Sequence, residues 1–163
     1  MKLSPNFSRE EFELDGAMPE KVVPAYTALC TELLEPIRAK WGAILITSGY
    51  RSAQANKLAG GVPTSEHVAT PEKCAADWEI LTFTVPKSTM RDVFDWLRLE
   101  STLVWDQCIL EHGDRGDLIH LAWSITPRRQ ALEGLTANRS GYTQCAVKIL
   151  DLGGGSGSEK TVV

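Results

Sequence analysis

Apolar and polar positions fall into two successive regimes along the chain. Val22, Val23, Tyr26, Leu29, Cys30, Leu33, Leu34 and Ile37 recur at helical intervals. That spacing puts them on one face of a helix and predicts an amphipathic segment running to about Trp41. Pro36 lacks an amide hydrogen and its ring crowds the preceding turn, so it is expected to kink this helix or mark a boundary. Upstream, Ser8-Arg-Glu-Glu has the form of a capping box, which predicts a short helix starting there.

Beyond Trp41 the pattern turns to strands. In "AILITSGYRS" an apolar run from Ala43 to Thr47 breaks at Gly49, which predicts a buried strand entering a loop. "AADWEILTF" alternates and predicts a second strand. "DQCILEH" and "LIHLAWS" predict a third and a fourth, joined through Gly113-Asp-Arg-Gly116, which has the composition of a hairpin turn. Two helices interrupt this series. "SAQANKLA", residues 52–59, predicts a short one ending at Gly60-Gly61, and Ser88-Thr89 introduces another through about Leu99 with Val93, Phe94, Trp96 and Leu97 as its apolar members. Residues 127–145 are weakly patterned and polar. "DLGGGSGSEKTVV" at 151–163 has a linker composition and is expected to be a flexible tail. Helices first and strands after predict an α+β fold, with the N-terminal helices packed on a small antiparallel sheet in one domain over residues 1–150.

Composition narrows the function classes. At 163 residues the chain can bury a substantial single core. A net charge of −4, with 17 Lys and Arg scattered rather than clustered, argues against a nucleic-acid partner. No stretch approaches the roughly 18 apolar residues that would suggest a membrane span. "MKLSPNFSREEF" turns polar at once and lacks the apolar core of a secretory signal, so the chain is expected in the cytoplasm or exported by something outside itself. Cys30, Cys74, Cys108 and Cys145 form no CxxC pair and read as small buried hydrophobes rather than a four-cysteine zinc site.

The candidate chemistry lies among three histidines. His67 and Asp77 bracket a loop that leads into the second strand, and His120 sits in the fourth strand between Ile119 and Leu121. Two imidazoles and a carboxylate make a three-ligand zinc site that leaves a fourth position for water. Such a site brings the pKa of its water to about 7 and polarises a carbonyl. Asp117, three residues before His120, is a candidate to take the water's proton. Each residue also has a plainer role. His112 beside Glu111 reads as structural, Asp77 as a strand-end acid and Asp117 as a turn residue. Cys74, inside the same stretch as His67 and Asp77, is a rival soft ligand.

The ordered set Ser48-Gly49-Tyr50-Arg51-Ser52, Asn56, Gly60-Gly61, Ser65, His67, Ala75, Asp77, Glu111, Asp117 and His120 resembles the zinc D-Ala-D-Ala carboxypeptidase and L-alanyl-D-glutamate peptidase family, peptidoglycan peptidases of bacteria and phage lysins. "LSPNFSREEF" and "LLEPIR" are similar to the family as well, so the likeness covers roughly residues 3–125. The resemblance implies that Zn2+ is held by His67, Asp77 and His120 on the sheet, and that Asp117 is the general base. It implies that Arg51 steadies the substrate carbonyl and the oxyanion, with Tyr50 and Ser65 also on the substrate side. A guanidinium suits that role because it meets developing negative charge with a fixed fork of donors. The family's usual separation between the first His and the Asp is shorter, so the extra residues here are expected to bulge outward at Pro71-Glu72-Lys73. The family also often carries Trp where this chain has Leu118.

The implied activity is hydrolysis of a peptide bond in peptidoglycan stem peptides, of the D-Ala-D-Ala carboxypeptidase or the L-Ala-D-Glu endopeptidase type. A monomeric phage lysin held in the host cytoplasm until release, or a virion-associated enzyme, fits this. The alternatives are a non-catalytic module that keeps the fold to grip wall peptide or a phage structural partner, and a metal-free structural domain.

Overall fold

The computed structural model describes residues 1–135, 141–148, 150 and the backbone of 161–162. Ser8 opens a short 3-10 helix, Arg9–Phe12, and its amide donates to Glu11 Oε1 at 2.7 Å as the capping box requires. A single helical stretch then runs from Val23 to Trp41. It is α-helical over Val23–Ala28 (α1), widens to a π-helix over Leu29–Leu34, and returns to α over Glu35–Trp41 (α2). The wide turns immediately precede Pro36. The proline ring and its missing donor disturb the regular ladder just upstream, and the π segment absorbs that disturbance without ending the helix.

The strands are β1 (Gly42–Ser48), β2 (Lys73–Phe83), β3 (Gln107–Gly113), β4 (Gly116–Ser124), β5 (Gln130–Leu135) and β6 (Thr143–Cys145). They form one six-stranded sheet in the order β1-β2-β4-β3-β5-β6. Helix α3 (Ala53–Leu58) is capped by Ser52, whose side chain accepts from the Ala55 amide at 3.1 Å. Helix α4 (Met90–Leu99) is capped by Thr89, with Asp92 completing the box. A short ribbon pairs β7 (Val147–Lys148) with β8 (Thr161–Val162). The expected flexible tail over 151–163 otherwise lies outside the described residues.

The purely antiparallel sheet expected from the sequence is corrected in one place, since β5 runs parallel to β3. The link after β4 steps over the start of β3, held there by Asp106. The Arg128 amide donates to Asp106 Oδ1 at 2.8 Å and the Gln130 amide to the Asp106 carbonyl at 2.9 Å. Strand β5 therefore starts at the same end as β3. The first strand is also less buried than its apolar run suggests. It is an edge strand, and Leu45 faces out at 40% exposure.

Strand alternation gives the sheet two chemically distinct faces. Cys74, Ala76, Trp78, Cys108, Leu110, Ile119 and Leu121 join one core cluster with Leu29, Leu33, Ile37, Val93 and Phe94. Within that core the Tyr26 hydroxyl donates to the Ala75 carbonyl at 3.1 Å. Trp78 is fully buried, and truncating so large a buried ring to Ala typically costs about 3–5 kcal/mol. The other face carries Asp77, His120, Ile109 and Glu111, side by side through the pairings Asp77–His120 and Ile109–His120.

Candidate metal centre

His67, Asp77 and His120 converge on that second face, all buried, each offering a ligand atom within 4.8 Å of the others. His67 Nε2 lies 3.1 Å from Asp77 Oδ1 and 3.2 Å from His120 Nδ1, and His120 Nδ1 lies 2.8 Å from the same Asp77 oxygen. The partner of the other His67 nitrogen fixes the tautomer. Nδ1 is 2.7 Å from the Gly49 carbonyl, which can only accept, so Nδ1 carries the hydrogen and the neutral ring turns the lone pair of Nε2 toward the cluster. Three electron-rich atoms packed this closely repel one another unless a proton or a cation sits among them. The donor set, two imidazoles and one carboxylate, suits zinc with one position left open.

Local sequence explains why the atoms meet. Gly49 has backbone packed against it. A side chain there would bring its Cβ within 2.5 Å of the Phe12 carbonyl oxygen, and the Tyr50 amide donates to that same oxygen at 2.8 Å. This close approach turns the Gly49 carbonyl toward His67. The Arg51 amide donates to the His67 carbonyl at 2.9 Å and fixes the loop that carries the ring. The lengthened stretch before Asp77 closes as a tight turn. The Thr70 amide donates to the Lys73 carbonyl at 2.9 Å, and Pro71 and Glu72 stand out in solvent. The extra residues thus bulge away and β2 enters in register.

Charge is arranged around Asp77. Burial alone would raise its carboxyl, but the adjoining His67 and His120 rings outweigh this and hold it well below the usual carboxylate range. Burial likewise opposes charge on His120, yet the Asp77 hydrogen bond raises its pKa above the ordinary imidazole value. Arg51 is buried behind the cluster. Its Nη2 donates to Asp77 Oδ2 at 3.3 Å and its Nε to Asp15 Oδ2 at 3.2 Å, and the Ser48 hydroxyl donates to that same Asp15 oxygen at 3.0 Å.

A cleft of about 310 Å³ opens over the three ligand residues. Ser65, Glu66, Lys73, Gln107, Glu111, Arg128 and Tyr142 also line it. Ser65 is therefore at the cleft, whereas Tyr50 and Arg51 are not among its lining residues. Glu111 is 5% exposed, and its Oε1 accepts from the Tyr142 hydroxyl at 2.5 Å. Arg128 bridges Glu66 Oε1 at 2.7 Å and Asp106 Oδ2 at 2.6 Å.

Asp117 is not brought to the cleft. It pairs with His112 across the β3–β4 hairpin and accepts from His112 Nδ1 at 2.8 Å, while His112 Nε2 reaches Glu133 Oε1 at 2.8 Å. The reason is parity, since residues an odd number apart on a regular strand point to opposite faces. Cys74, also expected as a possible ligand, falls on the core face by the same rule, and burial raises its thiol pKa far above the usual range. Nothing in the local pattern marks Asp15, Glu66, Arg128 or Tyr142. Their roles arise from chain segments that meet only in the fold.

Among the described residues no helix is long and apolar enough to cross a membrane. A family model described as Peptidase M15 matches residues 5–112. No curated protein and no solved structure matches the chain. The matched span holds Arg51, His67, Asp77 and Glu111 and stops short of His120, which the sheet register sets beside Asp77. The match covers well over half of the chain and agrees with the buried His-Asp-His group, and the chain belongs to the Peptidase M15 family of metallopeptidases.

Proposed function

We propose that this protein is a zinc-dependent peptidase that hydrolyses an amide bond in peptidoglycan stem peptides, of the D-Ala-D-Ala carboxypeptidase or L-Ala-D-Glu endopeptidase type. The observation that carries this reading is the convergence of His67 Nε2, Asp77 Oδ1 and His120 Nδ1 at the floor of a cleft large enough for a short peptide. A phage lysin or virion-associated enzyme is the setting we infer from the kinship of the sequence motifs.

His67, Asp77 and His120 would hold the zinc, which when bound supplies a Lewis acid for the scissile carbonyl and an acidified water. Glu111 is the residue we assign as general base in place of Asp117. It is a buried carboxylate on the ligand face of β3, two positions from Ile109, the residue paired with His120. Its carboxylate takes the proton of the attacking water and returns it to the leaving amine. Arg51 steadies Asp77 from behind, and the Gly49 carbonyl keeps His67 in its ligating tautomer. Ser65 lines the cleft and is assigned to the substrate side.

The test is hydrolysis of purified muropeptides by protein stripped of metal and then reloaded. Activity should vanish with stripping and return with one equivalent of zinc. Protein that binds muropeptides equally well in both states and cuts them in neither is the non-catalytic module instead.

A further inference from the structure

The family-matched span ends at His112, yet the carboxylate assigned as base is gripped by a residue thirty positions further on. The β3–β5 register explains how. Gly134 is the direct neighbour of Glu111 in the parallel pair. The Tyr142 ring edge packs against Gly134, so that a Cβ there would come within 2.6 Å of Tyr142 Cδ1 and 3.3 Å of its Cε1. The missing side chain thus makes the seat for the ring, and the seated ring carries its hydroxyl 2.5 Å from Glu111 Oε1. An O–H donor this close to a carboxylate is a short, charge-assisted contact of the strong kind. Tyr142 also lines the cleft, so this contact forms at the active surface rather than behind it.

We propose that Tyr142, seated on Gly134, is the positioning residue for the catalytic base. This rests on Glu111 being that base. The hydroxyl anchors one carboxylate oxygen and leaves the other to accept the water's proton. A neutral donor does this without cancelling the charge, as an Arg or Lys partner would. The C-terminal strands β5 and β6 thereby complete a site whose other parts lie upstream.

The test is a set of variants assayed on purified muropeptides with zinc-loaded protein. Tyr142→Phe keeps the ring and removes the donor, and should lower kcat about 10- to 100-fold with KM, zinc stoichiometry and melting temperature unchanged. Gly134→Ala displaces the ring and should lower kcat in the same direction. Glu111→Asp shortens the base out of reach of the hydroxyl, so adding Tyr142→Phe to it should change kcat no further. Wild-type kcat in Tyr142→Phe overturns the proposal, and so does an equal loss in the Glu111→Asp background, which would mean that Tyr142 acts independently of the carboxylate. If Glu111→Gln retains wild-type turnover, the assignment of the base itself has failed. If Glu111→Gln is inactive and Tyr142→Phe is not impaired, only the positioning role has failed.

Discussion

Asp117 and His120 stand three positions apart on β4 and on opposite faces of the sheet, with Asp117 bound to His112 and His120 bound to Asp77. A short motif that pairs an acid with a histidine therefore does not by itself deliver the acid to the His-Asp-His group. Asp117→Asn should keep turnover within about threefold of wild type and cost at most about 1 kcal/mol of stability, the scale of a partly exposed ion pair. Glu111→Gln should lower kcat by roughly 10²–10⁴ with zinc retained. Steady-state kinetics on the two variants separates the roles, and the reverse ranking would return the base to Asp117.

Metal should stabilise the fold as well as the reaction, because residues 67, 77 and 120 come from separate segments. With free zinc at 100 times its dissociation constant, the linkage is about 2.7 kcal/mol. For a domain of this size that is a rise of about 5–10 °C in Tm. Scanning calorimetry with chelator and with added zinc reads it directly, and an unchanged Tm would speak against the ligand set. The His120 proton favoured by Asp77 must leave before metal binds. Because that proton is held more tightly than on a free imidazole, zinc affinity should fall as pH drops, beginning above the ordinary value of about 6.5.

Arg51 touches the candidate metal ligand Asp77 and the loop acid Asp15 at once. A lysine keeps the charge and loses the planar fork that spans the two. Arg51→Lys should weaken zinc affinity about 10- to 100-fold, as expected for a residue that orients a ligand. Competition with a chromophoric chelator measures this. Unchanged affinity with a large fall in kcat would show instead that the guanidinium serves the substrate oxyanion.

The helix side of the sheet carries a pH-sensitive contact. Hydrogen bonds from His112 to Asp117 and Glu133 raise its pKa, and Arg91 pairs with Glu133 from α4, holding the Glu133 carboxyl at about 2. A raised imidazole pKa contributes stability that is fully present below the unfolded value near 6.5 and is lost as pH rises through the folded value. These groups are partly solvated, so the contribution is about 1 kcal/mol or less. The Tm difference between wild type and His112→Gln should be largest near pH 6 and shrink toward pH 9. A difference independent of pH would mean that His112 acts through packing alone.

Much of this was legible in the sequence. The four strands from Gly42 to Ser124 announce themselves by apolar runs and alternation, and the Ser8, Ser52 and Thr89 caps by their side chains. The candidate ligands His67, Asp77 and His120 stand out because histidines are scarce and follow the order of the resemblance. Strand parity could also have been read from the numbers 117 and 120. The parallel strand β5 could not, because "QALEGL" is short, carries a glycine and is fixed by contacts with β3 across the fold. The same holds for Asp15 behind Arg51 and Tyr142 beside Glu111, whose partners lie 36 and 31 residues away.

The buried His-Asp-His group is proposed to cut a bond in wall peptide. Mass spectrometry of muropeptides digested with zinc-loaded protein tests it most directly. The expected products have gained a water at one stem-peptide amide bond, at a single position, and none should form with His120→Ala. Intact muropeptides after prolonged digestion by protein carrying one zinc per chain would contradict it.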